Sequence, residues 1–269
     1  MKTRAITGFF FVIVMLGSVL LGRYPFGLFY LLLSLLCLNE FYKLVKHSGF
    51  RPNIAAGLIN CAFIYLVFAV INYQDSIGLH KLLMVLPVTI GIIFIQELFK
   101  KSMAPFVNIS YTLAGLVFIC IPFTFFHALA YLKGDFNFHY PLAFLLLLWA
   151  NDTGAYLVGR QFGRSKLFER HSPQKTWEGF IGGIAISAGV SLIIAYFFKD
   201  LLWNQWVSAA ILIACFGTLG DLVESMFKRS INVKDSGSIL PGHGGLLDRF
   251  DGFLLAAPIV YTYLYFITN

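Results

Sequence analysis

Long apolar runs separated by short polar stretches make up most of this chain. A bilayer core is crossed by about 20 apolar residues of helix. By that measure, spans are predicted at roughly 5–22, 24–39, 53–73, 82–96, 104–131, 140–159, 179–198, 203–227 and 250–268. The pattern predicts an all-α, polytopic membrane protein with about nine transmembrane helices; the second and fourth runs are short. The opening stretch, "MKTRAITGFFFVIVMLGSVLLGR", has the basic start and apolar run of a signal peptide. No A-x-A cleavage site follows and further spans come at once, so it reads as a retained first span.

Composition agrees. Of the 269 residues, 58% are hydrophobic and only 12% charged, with a mean hydropathy of +0.78. A soluble domain carries roughly 25% charged residues. The net charge of +7 reads as cytoplasmic loops and anionic lipid or phosphate partners. No basic run interleaves with exposed aromatics, which argues against nucleic acid as a partner. Nine spans place sixteen Lys and Arg residues on one side, from Lys2 to Arg249, and four on the other: Arg23, Lys81, Lys133 and Lys199. That asymmetry predicts a cytoplasmic N-terminus and an external C-terminus in the cell (inner) membrane. Cys37, Cys61, Cys120 and Cys215 each lie in an apolar segment with no CxxC spacing, and read as small buried hydrophobes. No internal repeat is evident. Unusual polar chemistry gathers between 149 and 252, so 1–139 is read as an N-terminal packing half and 140–269 as a C-terminal catalytic half with cytoplasmic loops.

Four stretches carry that chemistry. In "LLLLWANDTGAYLVGR", Asp152 follows a run of leucines. A carboxylate in lipid costs about 3 kcal/mol on insertion scales, so it must face protein or water, or else cap an early helix end. In "GTLGDLVESMFKR", Asp221, Glu224, Ser225 and Lys228 fall at i, i+3, i+4 and i+7 and share one helix face. The plainer reading is a Glu224–Lys228 pair on an exposed helix end, which leaves Asp221 unexplained. In "GHGGLLDRFDG", His243 sits among glycines, and Asp248 and Asp251 flank Arg249 on a starting helix. Two such carboxylates suit one hard cation, and magnesium binds through one or two carboxylates plus substrate phosphates; an N-cap by Asp248 is the simpler alternative. Gly242, Gly244 and Gly245 allow backbone N–H groups to approach an anion. The fourth, "RQFGRSKLFERHSPQKTWEG", reads either as a solvated basic loop or as a Ser-Pro turn presenting Lys175 and Glu178 at a helix start, with Lys175 suited to phosphate. Interleaved acids, bases and glycines fit a metal–polyphosphate complex better than a cation path or a lipid-headgroup patch.

Residues 225–251 resemble the signature of the phosphatidate cytidylyltransferases, also called CDP-diglyceride synthetases. It is met at Ser225, Lys228, Arg229, Lys234, Asp235, Gly237, Leu240, Pro241, His243, Gly244, Gly245, Asp248, Arg249 and Asp251. "NDTGAY" and "SPQKTWEG" also resemble family segments, so the likeness covers roughly 145–255 well. It implies a multi-span, magnesium-dependent enzyme, a homodimer among membrane lipids, which joins CTP to phosphatidic acid and releases pyrophosphate. On that footing Asp221, Asp248 and Asp251 are the expected metal ligands, with Asp152 and Glu224 as weaker candidates and a second cation of unspecified identity. Ser225 supplies a hydroxyl. Lys175, Lys228, Arg229, Lys234 and Arg249 are expected to hold phosphates, and His243 to bind phosphate or assist proton balance.

Four rivals stand beside this reading, one of them a purely structural membrane partner, which leaves the clustered acids unexplained. "DRFDG" opens the CDP-alcohol phosphatidyltransferase motif, but no arginine follows in Phe253–Ala257 and no later aspartate exists. CTP-dependent polyprenol or phytol kinases use similar substrates and release CDP. A transporter would also bury Asp152 and Asp221, but would more often show inverted repeats or broken helices.

Overall fold

The computed structural model describes the backbone of residues 2–73, 78–233, 235–237 and 244–268, with side chains from residue 8 onward. The helices are α1 (Lys2–Leu20), α2 (Arg23–His47), α3 (Ile54–Tyr73), α4 (Leu86–Leu98, entered through a 3-10 stretch at Leu79–Val85), α5 (Pro105–Gly115), α6 (Ile121–Leu129), α7 (His139–Phe162), α8 (Trp177–Phe197), α9 (Trp203–Ser230) and α10 (Asp251–Thr268). A π turn at Leu116–Cys120 joins α5 to α6 in one span. Pro122 explains the turn: it donates no N–H and its ring crowds the preceding turn, which a wider i→i+5 ring relieves.

Eight helices among the described residues are long and apolar enough to cross a membrane, from Arg23–His47 through Asp251–Thr268. The all-α, polytopic expectation therefore holds. The ninth predicted span is α1, whose described side chains form a shorter apolar helix, Gly8–Leu20. The second span is longer than hydropathy suggested. Asn39, Glu40, Lys43 and Lys46 continue α2 because Glu40 is buried, 4% exposed, instead of ending the helix in water.

One local expectation needs correcting. "SPQKT" is not a Ser-Pro turn but a strand, β2 (Ser172–Thr176), paired antiparallel with β1 (Lys166–Phe168). A two-stranded hairpin leaves each strand an edge, where Pro173 is tolerated.

The chain forms two compact units. The first comprises Met1–Phe136 with Asp235–Arg249. Its core is aromatic: Tyr30 packs 4.7 Å from Phe126 and 5.0 Å from Phe26, ring centre to ring centre. Cys37, Cys61 and Cys120 are fully buried and unbridged, as small hydrophobes are. α4 buries little beyond Ile93 and Glu97. Polar contacts hold it, with Asn108 Nδ2 donating to Glu97 Oε1 at 2.8 Å and Asn60 Nδ2 to the Thr89 carbonyl at 3.3 Å. In lipid such bonds do what hydrophobic burial does in water.

The second unit comprises Asn137–Lys234 with Phe250–Asn269. α7 and α8 approach through small residues at GxxxG spacing, Gly179 and Gly183. A Cβ on Gly183 would lie 2.6 Å from Asn151 Oδ1 and 2.9 Å from its carbonyl. α9 and α10 meet as closely: a Cβ on Gly220 would lie 2.5 Å from the Asp251 carbonyl. At the far ends of α7 and α8, Asp200 accepts from Asn137 Nδ2 at 2.7 Å and pairs with His139 Nδ1 at 2.6 Å.

Candidate active site

Close helix packing in the second unit aims polar side chains into one cavity of about 450 Å³, within the range of ligand pockets. α7 supplies Asn151, Asp152 and Arg160, the hairpin supplies Gln174 and Lys175, and α9 supplies Thr218 and Asp221. The hairpin is fixed to the start of α8. Thr176 Oγ1 caps the helix by accepting from Gly179 N at 3.2 Å, and the Glu178 carboxylate accepts from Arg164 N and Ser165 N at 3.0–3.2 Å. Glu178 thus serves the hairpin.

Asp152 is exposed and lines this cavity. Lys175 forms an ion pair with Asp221, both about a quarter to a third exposed, and Asp152 lies within coulombic range of both. Ser225 Oγ donates to Asp221 Oδ1 at 3.2 Å. One turn along α9, Lys228 pairs with Glu224 at 2.6 Å. This is no exposed helix end: the Glu224 side chain is fully buried and that of Lys228 only 12% exposed. Asp251, the first residue of α10, lies within coulombic range of Asp221, Glu224 and Asp152. Its Oδ1 accepts from Gly252 N at 2.6 Å.

Two carboxylates expected on one helix are not so placed. Asp248 lies in a 3-10 turn, Leu247–Arg249, and belongs to the first unit, whereas Asp251 starts α10. Asp248 accepts from Ser236 N at 3.0 Å and from Gly245 N at 2.9 Å. The Gly245 N–H, expected to face an anion, is therefore bonded to the protein's own carboxylate. Gly244 needs its lack of a side chain, with φ at +81°. Arg249 is exposed, and so is Arg229, whose Nη1 reaches the Val233 carbonyl at 3.4 Å. Lys234 and His243 lie outside the described residues.

Sequence reasoning passed over Thr218 and Gln174. Thr218 was legible: it precedes Asp221 by three residues on the same helix, the spacing that shares a face. It also passed over Glu40, an acid within an apolar run, like Asp152.

Among the described residues no three His, Cys, Asp or Glu side chains form a ready-made metal cage. The donor chemistry nevertheless fits a hard divalent cation. Asp152, Asp221, Glu224 and Asp251 are four carboxylates whose paired cations are two lysines, Lys175 and Lys228. If all are ionised, two negative charges are left over. Magnesium takes one or two carboxylates and completes its shell with substrate phosphates and water, so a preformed cage is not required.

A bundle of apolar helices around an acid- and base-lined cavity defines a membrane enzyme for charged substrates. A profile described as the cytidylyltransferase family matches residues 2–267. Phosphatidate cytidylyltransferases of Staphylococcus haemolyticus, Staphylococcus aureus and Staphylococcus epidermidis are each 35% identical to this chain over 262 residues, covering 97% of it and 97% of each relative. The chain belongs to the cytidylyltransferase family and is a nucleotidyltransferase of phospholipid synthesis.

Proposed function

We propose that the protein transfers the cytidylyl group of CTP to phosphatidic acid, giving CDP-diacylglycerol and pyrophosphate, in the cavity of the second unit. A phosphate oxygen of phosphatidate forms a bond to the α-phosphorus of CTP in line with the bond that breaks, and pyrophosphate carries away the bonding pair. Both reactants are anions, and their repulsion must be offset before they meet. Bound magnesium, with a second cation in the same role, would supply positive charge to the attacking and leaving oxygens.

Asp221, Asp251 and Asp152 would hold the cation; Asp248 is carried in this proposal by its place in the signature alone. Lys175 contributes a phosphate contact once substrate draws it from Asp221, since an ammonium on a flexible stem re-aims easily. Ser225 orients Asp221 through its hydroxyl, and Lys228 neutralises Glu224 beside the cluster. The lipid-phosphate acceptor is already largely ionised near neutral pH, so no strong general base is needed. The excess of Lys and Arg on one side of the spans supports catalysis at the cytoplasmic face of the cell membrane.

One observation carries this reading: four carboxylates with two lysine partners gather in an apolar bundle, a charge arrangement that a metal–phosphate complex completes. The test is product identity. Purified protein with α-labelled CTP, phosphatidic acid and magnesium is expected to label CDP-diacylglycerol and release pyrophosphate. Release of CDP with phosphorylated lipid would instead make it a lipid kinase.

A further inference from the structure

Glu40 of α2 is a fully enclosed carboxylate in the first unit, 4% exposed. Its Oε2 accepts from Leu247 N at 2.7 Å, across 207 positions of sequence. Its other oxygen, Oε1, is the atom that a Cβ on Gly237 would strike; a Cβ on Gly245 would strike the Ser236 hydroxyl first and would also lie 2.5 Å from Glu40 Oε1. Asp248 ties the same residues together from the loop side, through Ser236 N and Gly245 N. Gly237 and Gly245 therefore leave room for the Glu40 carboxylate, and a buried polar group that loses its donor is costly enough to hold Leu247 beside it.

We propose that Glu40 is a positioning residue for the signature segments 235–237 and 244–249: it holds the two together, and so places Asp248 and Arg249, without touching substrate. Activity readouts of this inference rest on the cytidylyl transfer proposed above; the loop readout does not. A misplacement of about 1 Å at a site can cost on the order of 10²-fold in rate.

The experiment compares Glu40→Ala, Glu40→Gln, Gly237→Ala and the double variant Glu40→Ala/Gly237→Ala with the parent protein in detergent. Turnover is counted per folded molecule, and amide hydrogen exchange is followed across 244–249. Glu40→Ala is expected to lower kcat at least about tenfold and to speed exchange at Leu247. Glu40→Gln keeps an acceptor for the Leu247 N–H and is expected to fall between. Gly237→Ala is expected to be damaging alone but to add little to Glu40→Ala, because the group it strikes is gone. Unchanged kcat and exchange in Glu40→Ala would overturn the proposal. So would equal losses of melting temperature in the alanine and glutamine variants with kcat per folded molecule preserved, the result of a purely structural role. Multiplicative losses in the double variant would also overturn it. A parent protein that forms no CDP-diacylglycerol contradicts the assigned reaction, while the exchange data still decide the loop's dependence on Glu40.

Discussion

Replacing Lys228 by Met tests what the buried ion pair does. Glu224 is fully buried and Lys228 nearly so, at 2.6 Å. Removing one partner of such a pair strands the other charge and costs about 3–5 kcal/mol, whereas replacing both by apolar groups is often neutral or stabilising. Glu224 also sits within coulombic range of Asp251, so losing the lysine exposes like-charge repulsion as well. The single variant is expected to lower the melting temperature by roughly 10 °C. The double variant Lys228→Met/Glu224→Leu is expected to recover most of that. All four tryptophans, Trp149, Trp177, Trp203 and Trp206, lie in the second unit, so thermal unfolding followed by tryptophan fluorescence reports on the unit that holds the pair. Turnover of the stable double variant then shows what Lys228 does beyond stability: low activity in a fully folded protein assigns it to the chemistry. A single variant as stable as the parent, or a double variant as unstable as the single, would refute the claim that desolvated charge is the source of the cost.

Three further outcomes follow from the packing. Gly183→Leu drives a side chain into Asn151 and is expected to cost about 1–3 kcal/mol or more while lowering turnover of the folded fraction, measured by fluorescence melting and product formation. Gly244→Ala forces a left-handed φ of +81° on a residue with Cβ; it is expected to cost about 1–2 kcal/mol, and an unchanged melt would show that the turn relaxes. Asp200→Ala removes the acceptor shared by Asn137 and His139; it is expected to cost about 1–3 kcal/mol and leave kcat per folded molecule unaltered.

Apolar periodicity made the spans legible, because a bilayer imposes a length on every crossing helix. Asp152 and Asp221 were legible for the complementary reason, as carboxylates where lipid would not tolerate them. Three things were not. The hairpin at 166–176 is short and polar, with a proline in a strand, so local propensity pointed to a turn. Glu40 was passed over because α2 appeared to end before it, and its partners lie some 200 residues away. The roles of Gly237 and Gly245 were hidden too: a glycine that makes room for a distant carboxylate looks, in sequence, like one that cradles a phosphate.

Manganese binding gives the most direct test of the carboxylate cluster. Paramagnetic Mn²⁺ is titrated into purified protein with CTP present, and bound ion is counted by electron paramagnetic resonance in the parent and in Asp221→Asn and Asp251→Asn variants that keep the parent's tryptophan fluorescence melt. Binding by the parent and a loss of about tenfold or more in affinity in each variant are the expected result. Equal binding by all three proteins would contradict the assignment of these aspartates to the cation.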